Sequence, residues 1–152
     1  MEFHLKERPV FRVKHENNVK NSKKLIKFLQ GFGYNSGKKE LFDFSDKKSI
    51  VFYADNGKKI LGILHLVEFT KEVLWCNIFL VKKEFRRQGL GTSLFKEAID
   101  YLYKNKIKNV LAISEFSDKG SRKFLKKLGF KKIGKIKHFL SGKDYNLWEY
   151  LL

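Results

Sequence analysis

One short segment of the sequence combines two glycines with basic and hydroxyl side chains at a spacing suited to holding a phosphate. Arg86, Gly89 and Gly91 form the pattern R-x-x-G-x-G, and Thr92 follows directly. Two glycines allow a tight turn, which at the start of a helix brings unpaired N–H groups and the positive end of the helix dipole toward one point. A pyrophosphate fits this arrangement, and Arg86, Arg87 and the Thr92 hydroxyl can add charge and hydrogen bonds. The segment therefore predicts an anion-binding loop.

The residues around these glycines exclude one common phosphate-binding loop and match a second one poorly. A Walker A loop needs Gly-Lys followed by Ser or Thr, which the segment lacks. A dinucleotide fingerprint needs a third glycine, and that position is Leu94. An isolated glycine pair is more often only a tight turn between a strand and a helix, so the interpretation depends on the surrounding elements.

The elements that flank the loop follow from the hydrophobic periodicity. A long apolar run typical of a β-strand precedes the loop, and from the first glycine onward apolar residues recur at helical spacing. A buried strand and a second helix with clear capping residues come next. These four elements are Val73–Val81, Gly89 to about Asn105, Val110–Ser114, and a helix that Ser117 or Asp118 caps and Gly129 ends.

The other elements complete a mixed sheet. Asp55-Asn56-Gly57-Lys58 is a strong hairpin signal between two apolar runs. The order β-α-β-β-β-α-β-α-β-β predicts an α/β or α+β fold. The first helix is predicted to begin at Asn17 or Asn18 and to end at Gly31, Gly33 and residues 35–37, and its apolar side consists of Leu25, Ile26, Leu29 and Phe32. The remaining strands are Val10–His15, Ser49–Ala54, Ile60–Val67, Phe130–His138 and Tyr145–Leu151.

Composition bounds the class of protein. A chain of 152 residues, 43% hydrophobic and 15% aromatic, can bury a core and fits one domain spanning residues 1–152, which excludes disorder as the main state. The single cysteine, Cys76, and four scattered histidines predict neither an intramolecular disulfide nor a metal site. No secretion signal or membrane span is predicted, so a cytoplasmic location is the expectation.

The charge is strongly positive and unevenly distributed. Lys and Arg total 33 against 16 Asp and Glu, giving +17, and residues 104–137 supply +10 of it. Only five of the basic residues are Arg, the side chain that proteins favour for bidentate contacts to nucleic acid. Nucleic acid is therefore an allowed but not a favoured partner, and a polycationic partner is disfavoured.

At the loop, the sequence resembles the GCN5-related N-acetyltransferase (GNAT) superfamily. The family's acetyl-CoA signature is Q/R-x-x-G-x-G/A after a strand ending in an apolar pair and Val, and here Phe79-Leu80-Val81 precedes the loop. A second family block, similar to FYEKLGF, is matched by FLKKLGF at 124–130. The resemblance extends over nearly the whole chain, and implies a twisted, mostly antiparallel sheet of six or seven strands flanked by three or four helices.

The resemblance also implies roles for individual residues. It implies acyl transfer from acetyl-CoA as co-substrate without a metal, and places the pantetheine against the backbone around Leu80 and Val81. Asp118 lies where the family often has an Asn that meets the pantetheine arm, and Lys123, with Arg122, is a candidate for the adenosine 3′-phosphate. Other residues implied at the pyrophosphate are Arg86, Arg87, Gln88, Gly89, Leu90, Gly91 and Thr92, mainly through backbone N–H groups.

Two positions depart from the family pattern. The usual base on the fourth strand is replaced by Asn77, and the Tyr of the second block by Leu125. A CoA thiolate, whose thiol has a pKa near ~8.5, leaves without much help, but a lysine-like amine is ~99.9% protonated at neutral pH. Loss of the base therefore matters more than loss of the acid.

Hairpin geometry suggests a substitute base. A two-residue loop at Thr70-Lys71 would place Glu68 on the same face as Asn77, where it could act through a water, and would point His65 and Cys76 to the other face. Tyr145 on the closing strands is an alternative proton donor. Cys76 is disfavoured as a nucleophile, because no His is placed to activate it.

The sequence thus favours an acetyl-CoA-dependent N-acetyltransferase in which an acceptor amine attacks the thioester directly. The acceptor is a neutral or anionic small molecule, a protein N-terminus or side chain, or an aminoacyl-tRNA, and the chain acts as a monomer or homodimer. The alternative is a basic nucleic-acid-binding or CoA-sensing module that lacks efficient catalysis.

Overall fold

The computed structural model describes residues 11–17, 22–32 and 48–152. Within these residues, seven strands form one sheet in the order β1-β2-β3-β4-β5-β7-β6, in which only β4 and β5 are parallel neighbours. Three α-helices of the described ranges flank the sheet, and the strand directions confirm the mixed, mostly antiparallel fold. The strands are β1 Arg12–Asn17, β2 Ser49–Asp55, β3 Ile60–Thr70, β4 Val73–Val81, β5 Asn109–Glu115, β6 Lys131–Leu140 and β7 Lys143–Leu151, and the helices are α1 Lys23–Gln30, α2 Leu90–Lys104 and α3 Lys119–Leu128.

Different helices cover the two faces of the sheet. Each helix presents a stripe of apolar residues at helical spacing, and burying each such side chain contributes roughly 1.5–3 kcal/mol relative to leaving it exposed. The α1 stripe packs on one face with Val51, Ile63 and Ile78, whereas α2 and α3 share the core on the opposite face. The buried stripes are Leu25, Phe28 and Leu29 in α1, Leu90, Leu94, Ala98 and Leu102 in α2, and Leu125 in α3. Within the described ranges, no helix is both long and apolar enough to cross a bilayer.

Several local predictions are confirmed. β4 has the predicted bounds, Val73–Val81. Asp118 caps α3 by accepting a hydrogen bond from the Ser121 backbone N–H at 3.0 Å, and Gly129 ends the helix with φ +104°. The turn between β2 and β3 has Gly57 at φ +90°, the conformation that the Asn-Gly signal predicts.

The first helix begins later than predicted. Ser22 is its N-cap and accepts from the Leu25 backbone N–H at 3.4 Å. Asn17 is instead the last residue of β1, because pairing with Ile50 of β2 extends the strand. Asn18, Val10, Gly33 and residues 35–37 lie outside the described residues.

The predicted register of the β3–β4 hairpin is wrong. Thr70 pairs with Val73, so the loop is Lys71-Glu72, and Glu68 pairs with Leu74. Register shifts between Glu68 and Thr70 and between His65 and Leu66 break the regular alternation. Because a one-residue slip turns a side chain to the other face, the predicted neighbours of Asn77 change.

Candidate active site

A slot opens between the two parallel strands at the centre of the sheet. The ladder joins Val73–Trp75 of β4 to Asn109–Leu111 of β5 and then stops. β5 stays paired with β7 as far as Glu115, while β4 continues to Val81 along an edge that has no strand partner in the described part of the chain. The backbone groups of this edge are available to an extended ligand.

The loop that follows β4 contacts the end of the slot through Arg86. The Arg86 side chain turns back, and its Nε donates to the Val81 carbonyl oxygen at 3.0 Å. Gln88 Nε2 donates to the Glu84 carbonyl oxygen at 3.0 Å, which braces the loop from within. Arg87 and Gly89 have φ of +61° and +79°, so this turn uses the left-handed region twice in three residues.

The loop ends at a helix terminus with free donors. The first N–H of α2 that meets a helical acceptor is that of Ser93, which donates to the Gly89 carbonyl oxygen at 2.9 Å. The N–H groups of Leu90, Gly91 and Thr92 precede it and point out of the helix end. A Cβ on Gly89 would meet no atom within 4 Å, so the space beside these donors is open. This is the arrangement predicted for a pyrophosphate.

The two sequence blocks singled out above are in direct contact. A Cβ on Gly91 would lie 2.7 Å from Phe124 Cζ, so only glycine lets α3 approach the first turn of α2 this closely. The Phe124 ring also meets Phe79 of β4, with centroids 5.1 Å apart. Phe124 therefore packs against both the end of β4 and the start of α2.

The start of α3 adds charged groups beside the loop. Hydrogen bonds from Ser121, and to a smaller degree the charge of Arg86, lower the pKa of the Asp118 carboxyl. Arg86 and Asp118 are thus electrostatic neighbours. Lys123 is exposed and Arg122 half-exposed on the first turns of α3. Leu80 and Val81 stand at the end of the slot.

Asn77 lies at the irregularity in β4. His65 pairs with Ile78 and Leu66 with Cys76, so Asn77 is the extra residue of a β-bulge. Asn77 Nδ2 donates to His65 Nδ1 at 3.0 Å, and a neutral ring then carries its proton on Nε2. Burial lowers the pKa of His65 to about 4. The prediction that His65 faces away from Asn77 is therefore wrong, and the sequence carried no signal for this pair because a bulge leaves no pattern.

His65 should make the fold acid-sensitive. Its folded-state pKa lies below the unfolded value near 6.5, so the neutral ring stabilises the fold fully above that value and the contribution is lost as pH falls toward 4. We expect the free energy of unfolding to drop by roughly 2 kcal/mol between pH 7 and pH 5. Urea unfolding of His65→Gln should lack this drop, whereas His15→Gln, at an exposed histidine, should keep it. If the free energy of unfolding of His65→Gln fell by the same amount between pH 7 and pH 5, His65 would not be the source of the acid sensitivity.

Glu68 does not share a face with Asn77. It pairs with Leu74, whose side chain belongs to the core under α2, whereas Asn77 and His65 lie on the α1 side. Glu68 lines an open pocket of about 370 Å³ near the start of β4 and the end of α2. The other lining residues are Asn17, Lys48, Ser49, Ile50, Lys71, Leu74, Tyr101, Asn105 and Ile107.

Tyr145 and Cys76 occupy different surroundings. Tyr145 pairs with Glu115 at the end of β5, one strand beyond the slot, and its ring contacts Phe139 with centroids 6.0 Å apart. Cys76 packs against the core under α2, and burial raises the pKa of its thiol to about 12. A thiol held protonated in this way is a poor nucleophile.

The site as a whole can hold an anion at the loop and an extended chain along the slot. Within the described part of the chain, no three His, Cys, Asp or Glu side chains are grouped to hold a metal ion. The slot itself was not predicted from the residues, because it depends on β7 pairing beside β5 rather than on any local pattern.

Comparison with known proteins agrees with the geometry. The profile of the acetyltransferase (GNAT) family matches residues 22–130. No curated protein matches the sequence. Three solved structures are similar in fold. An IAA acetyltransferase from Bacillus cereus is 14% identical with a TM-score of 0.75, and the alignment covers 93% of this chain and 100% of that one. A GNAT family acetyltransferase from Elizabethkingia anophelis with acetyl-CoA bound is 19% identical with a TM-score of 0.73, covering 92% and 98%.

The third structure, from Bacillus anthracis in complex with acetyl coenzyme A, is 18% identical with a TM-score of 0.63. That alignment covers 68% of this chain and 62% of the other chain. Because the family profile spans well over half of the sequence, including both blocks that meet at Phe124, the chain belongs to the acetyltransferase (GNAT) family.

Proposed function

We propose that the protein is an N-acetyltransferase that uses acetyl-CoA and an acceptor amine. The observation that carries this proposal is the junction of the slot with the loop. A strand edge that has no strand partner among the described residues ends beside the Arg86 side chain and the loop, where three helix N–H groups face open space. A ligand in which a long extended arm is joined to a pyrophosphate matches both parts at once.

The residues present fit acetyl-CoA. The N–H groups of Gln88 to Thr92 would hold the pyrophosphate, with Arg86 and Arg87 adding charge. The backbone of Leu80 and Val81 would bond the pantetheine, and Asp118 lies where the arm passes. Lys123 would meet the 3′-phosphate.

The proposed reaction needs few catalytic side chains. Acetyl-CoA supplies an acetyl group activated as a thioester. The free acceptor amine attacks the carbonyl carbon, a C–N bond forms, the C–S bond breaks, and CoA leaves as a thiolate. The acylated amine gives up one proton to solvent. The thiolate, whose thiol has a pKa near ~8.5, takes up one proton from solvent or from Tyr145, which solvent then reprotonates. Asn77, held by His65, is an amide that orients the acceptor rather than a base.

The acceptor is constrained by charge. At +17, the chain repels a polycationic aminoglycoside or polyamine, so we infer a neutral or anionic small molecule, a protein amine or an aminoacyl-tRNA. A panel of such amines, with free CoA release as the readout, tests the function. Release that depends on one class of amine supports the proposal, whereas acetyl-CoA binding without turnover on any amine would favour a CoA-sensing module.

Glu68→Gln should leave turnover unchanged. Glu68 lies on the other face from Asn77, and its partner Leu74 is three residues, roughly 10 Å, from Asn77 along β4. Asn77→Ala, at the slot, should lower kcat/KM by about tenfold or more through lost positioning of the acceptor. Steady-state kinetics at saturating acetyl-CoA compares the two. A tenfold loss in Glu68→Gln would restore Glu68 as the base.

A further inference from the structure

Acetyl transfer leaves most of the positive charge of the chain unused. Residues 119–137 contain eight lysines and Arg122 but no acidic residue. A CoA 3′-phosphate would occupy one or two of these side chains. The rest form a surface whose purpose the proposed reaction does not explain.

The outer side of α3 is a stripe of lysines. Lys119, Lys123, Lys126 and Lys127 are exposed and follow the spacing i, i+4, i+7, i+8, while Leu125 is buried on the opposite side. Like charges four residues apart destabilise a helix. Among the described residues, no ion pair involves α3. No ion pair among the described residues therefore offsets the repulsion within the stripe.

β6 extends the stripe. Lys132 and Lys135 are exposed, and their Nζ atoms lie 6.0 and 4.2 Å from the centroid of the Phe116 ring. Phe116 is 44% exposed and precedes the start of α3 by three residues, so these lysines meet the N-terminal end of the helix. Lys135 also pairs with Asp144 at 3.5 Å. Phe116 therefore lies between the start of α3 and the lysines of β6.

We propose that this surface binds the phosphodiester backbone of a nucleic acid. We define it as the basic face, Lys119, Lys123, Lys126, Lys127, Lys132 and Lys135. Its charge excludes a second copy of the chain as occupant, because two such faces would repel each other. Lysines on flexible stems neutralise successive phosphates without reading sequence, and the half-exposed Phe116 ring offers a surface on which a base can stack.

Protection of the sheet edge against association would explain only some of the lysines of the basic face. Lysines on an edge strand prevent sheet-to-sheet association, which would explain Lys132 and Lys135 on β6. It does not explain the lysines of α3, a helix packed on the face of the sheet. Nucleic-acid binding explains both elements, and it does not depend on acetyl transfer.

Fluorescence anisotropy with a labelled oligouridine RNA of about 20 nucleotides, across a salt series, tests the proposal. The triple variant Lys126→Gln, Lys127→Gln, Lys132→Gln should bind roughly 100-fold more weakly near 0.1 M salt and lower the slope of log affinity against log salt by about 2. Glutamine keeps the helix propensity close to that of lysine. Acetyl-CoA binding of the variant should be unchanged, which reports an intact fold.

The matched control is Lys14→Gln, Lys58→Gln, Lys96→Gln, three exposed lysines outside the basic face. Both triples lower the formal net charge from +17 to +14. RNA affinity that falls only in the first triple supports the proposal. Equal losses in both triples, no binding by the unmodified protein at low salt, or equally tight binding of an oligoglutamate peptide of the same length would each overturn it.

Discussion

Replacing Gly89 with valine should weaken acetyl-CoA binding by at least 100-fold, about 3 kcal/mol. Gly89 has φ +79°, and a β-branched residue in this region costs roughly 1–3 kcal/mol of backbone strain. Relief of that strain moves the N–H groups of Leu90, Gly91 and Thr92 away from their common target. The new side chain would also project into the open space in front of them. Isothermal titration of acetyl-CoA measures the loss.

The chain offers a matched control for this substitution. Gly57 has φ +90°, and a Cβ there would likewise meet no atom within 4 Å, but it lies in the β2–β3 turn. Gly57→Val should therefore lose similar stability and retain acetyl-CoA binding. If both variants lose the ligand equally, strain rather than the loop is responsible, and the pyrophosphate assignment fails.

The rate should follow the protonation of the acceptor itself. With an amide at Asn77, the amine must enter the reaction already neutral. At pH 7, an α-amine with a pKa near ~7.8 is about 300-fold more deprotonated than an ε-amine with a pKa near ~10.4. We expect kcat/KM to rise tenfold per pH unit up to the pKa of each acceptor, and the α-amine to react about 300-fold faster at pH 7.

None of the three ionisable side chains considered next, all among the described residues around the slot, is suited to act as a general base for the acceptor amine. His65 behind Asn77 has its pKa lowered to about 4 by burial, and Cys76 has its pKa raised to about 12. Glu115, one strand across, is paired with Lys143 at 3.4 Å. Asn77→Asp introduces a carboxylate of nearly the same shape and should move the rising limb to lower pH. A plateau at the same pH for both acceptors in the unmodified protein would reveal an enzymic base and contradict the scheme.

Local signals in the sequence predicted most of the fold. β4 and α3 were placed well, because a long apolar run and a capped helix ending in Gly129 are strong patterns. The sequence predicts the wrong cap for α1, because Asn17 is a good cap by residue type and only its pairing with Ile50 puts it in a strand. The cap propensity of a residue type does not predict such a tertiary pairing.

The catalytic surroundings were harder to predict for a physical reason. The loop from Arg86 to Thr92 carries its geometry in its own residues, so its conformation was recognisable. The contact between His65 and Asn77 depends on a bulge, and the bulges of the β3–β4 hairpin reverse the face of Glu68 relative to Asn77. The slot depends on where β7 pairs, which is a long-range property of the sheet.

Thermal unfolding of the unmodified protein with and without acetyl-CoA tests the central claim most directly. Ligand at about 100 times its Kd should stabilise the fold by about 2.7 kcal/mol, which for a chain of this size raises Tm by roughly 5–10 °C. The slot, the free N–H groups of α2 and Arg86 lead us to expect that rise, and to expect it to vanish in Gly89→Val. An unchanged Tm at about 1 mM acetyl-CoA would contradict the proposed function.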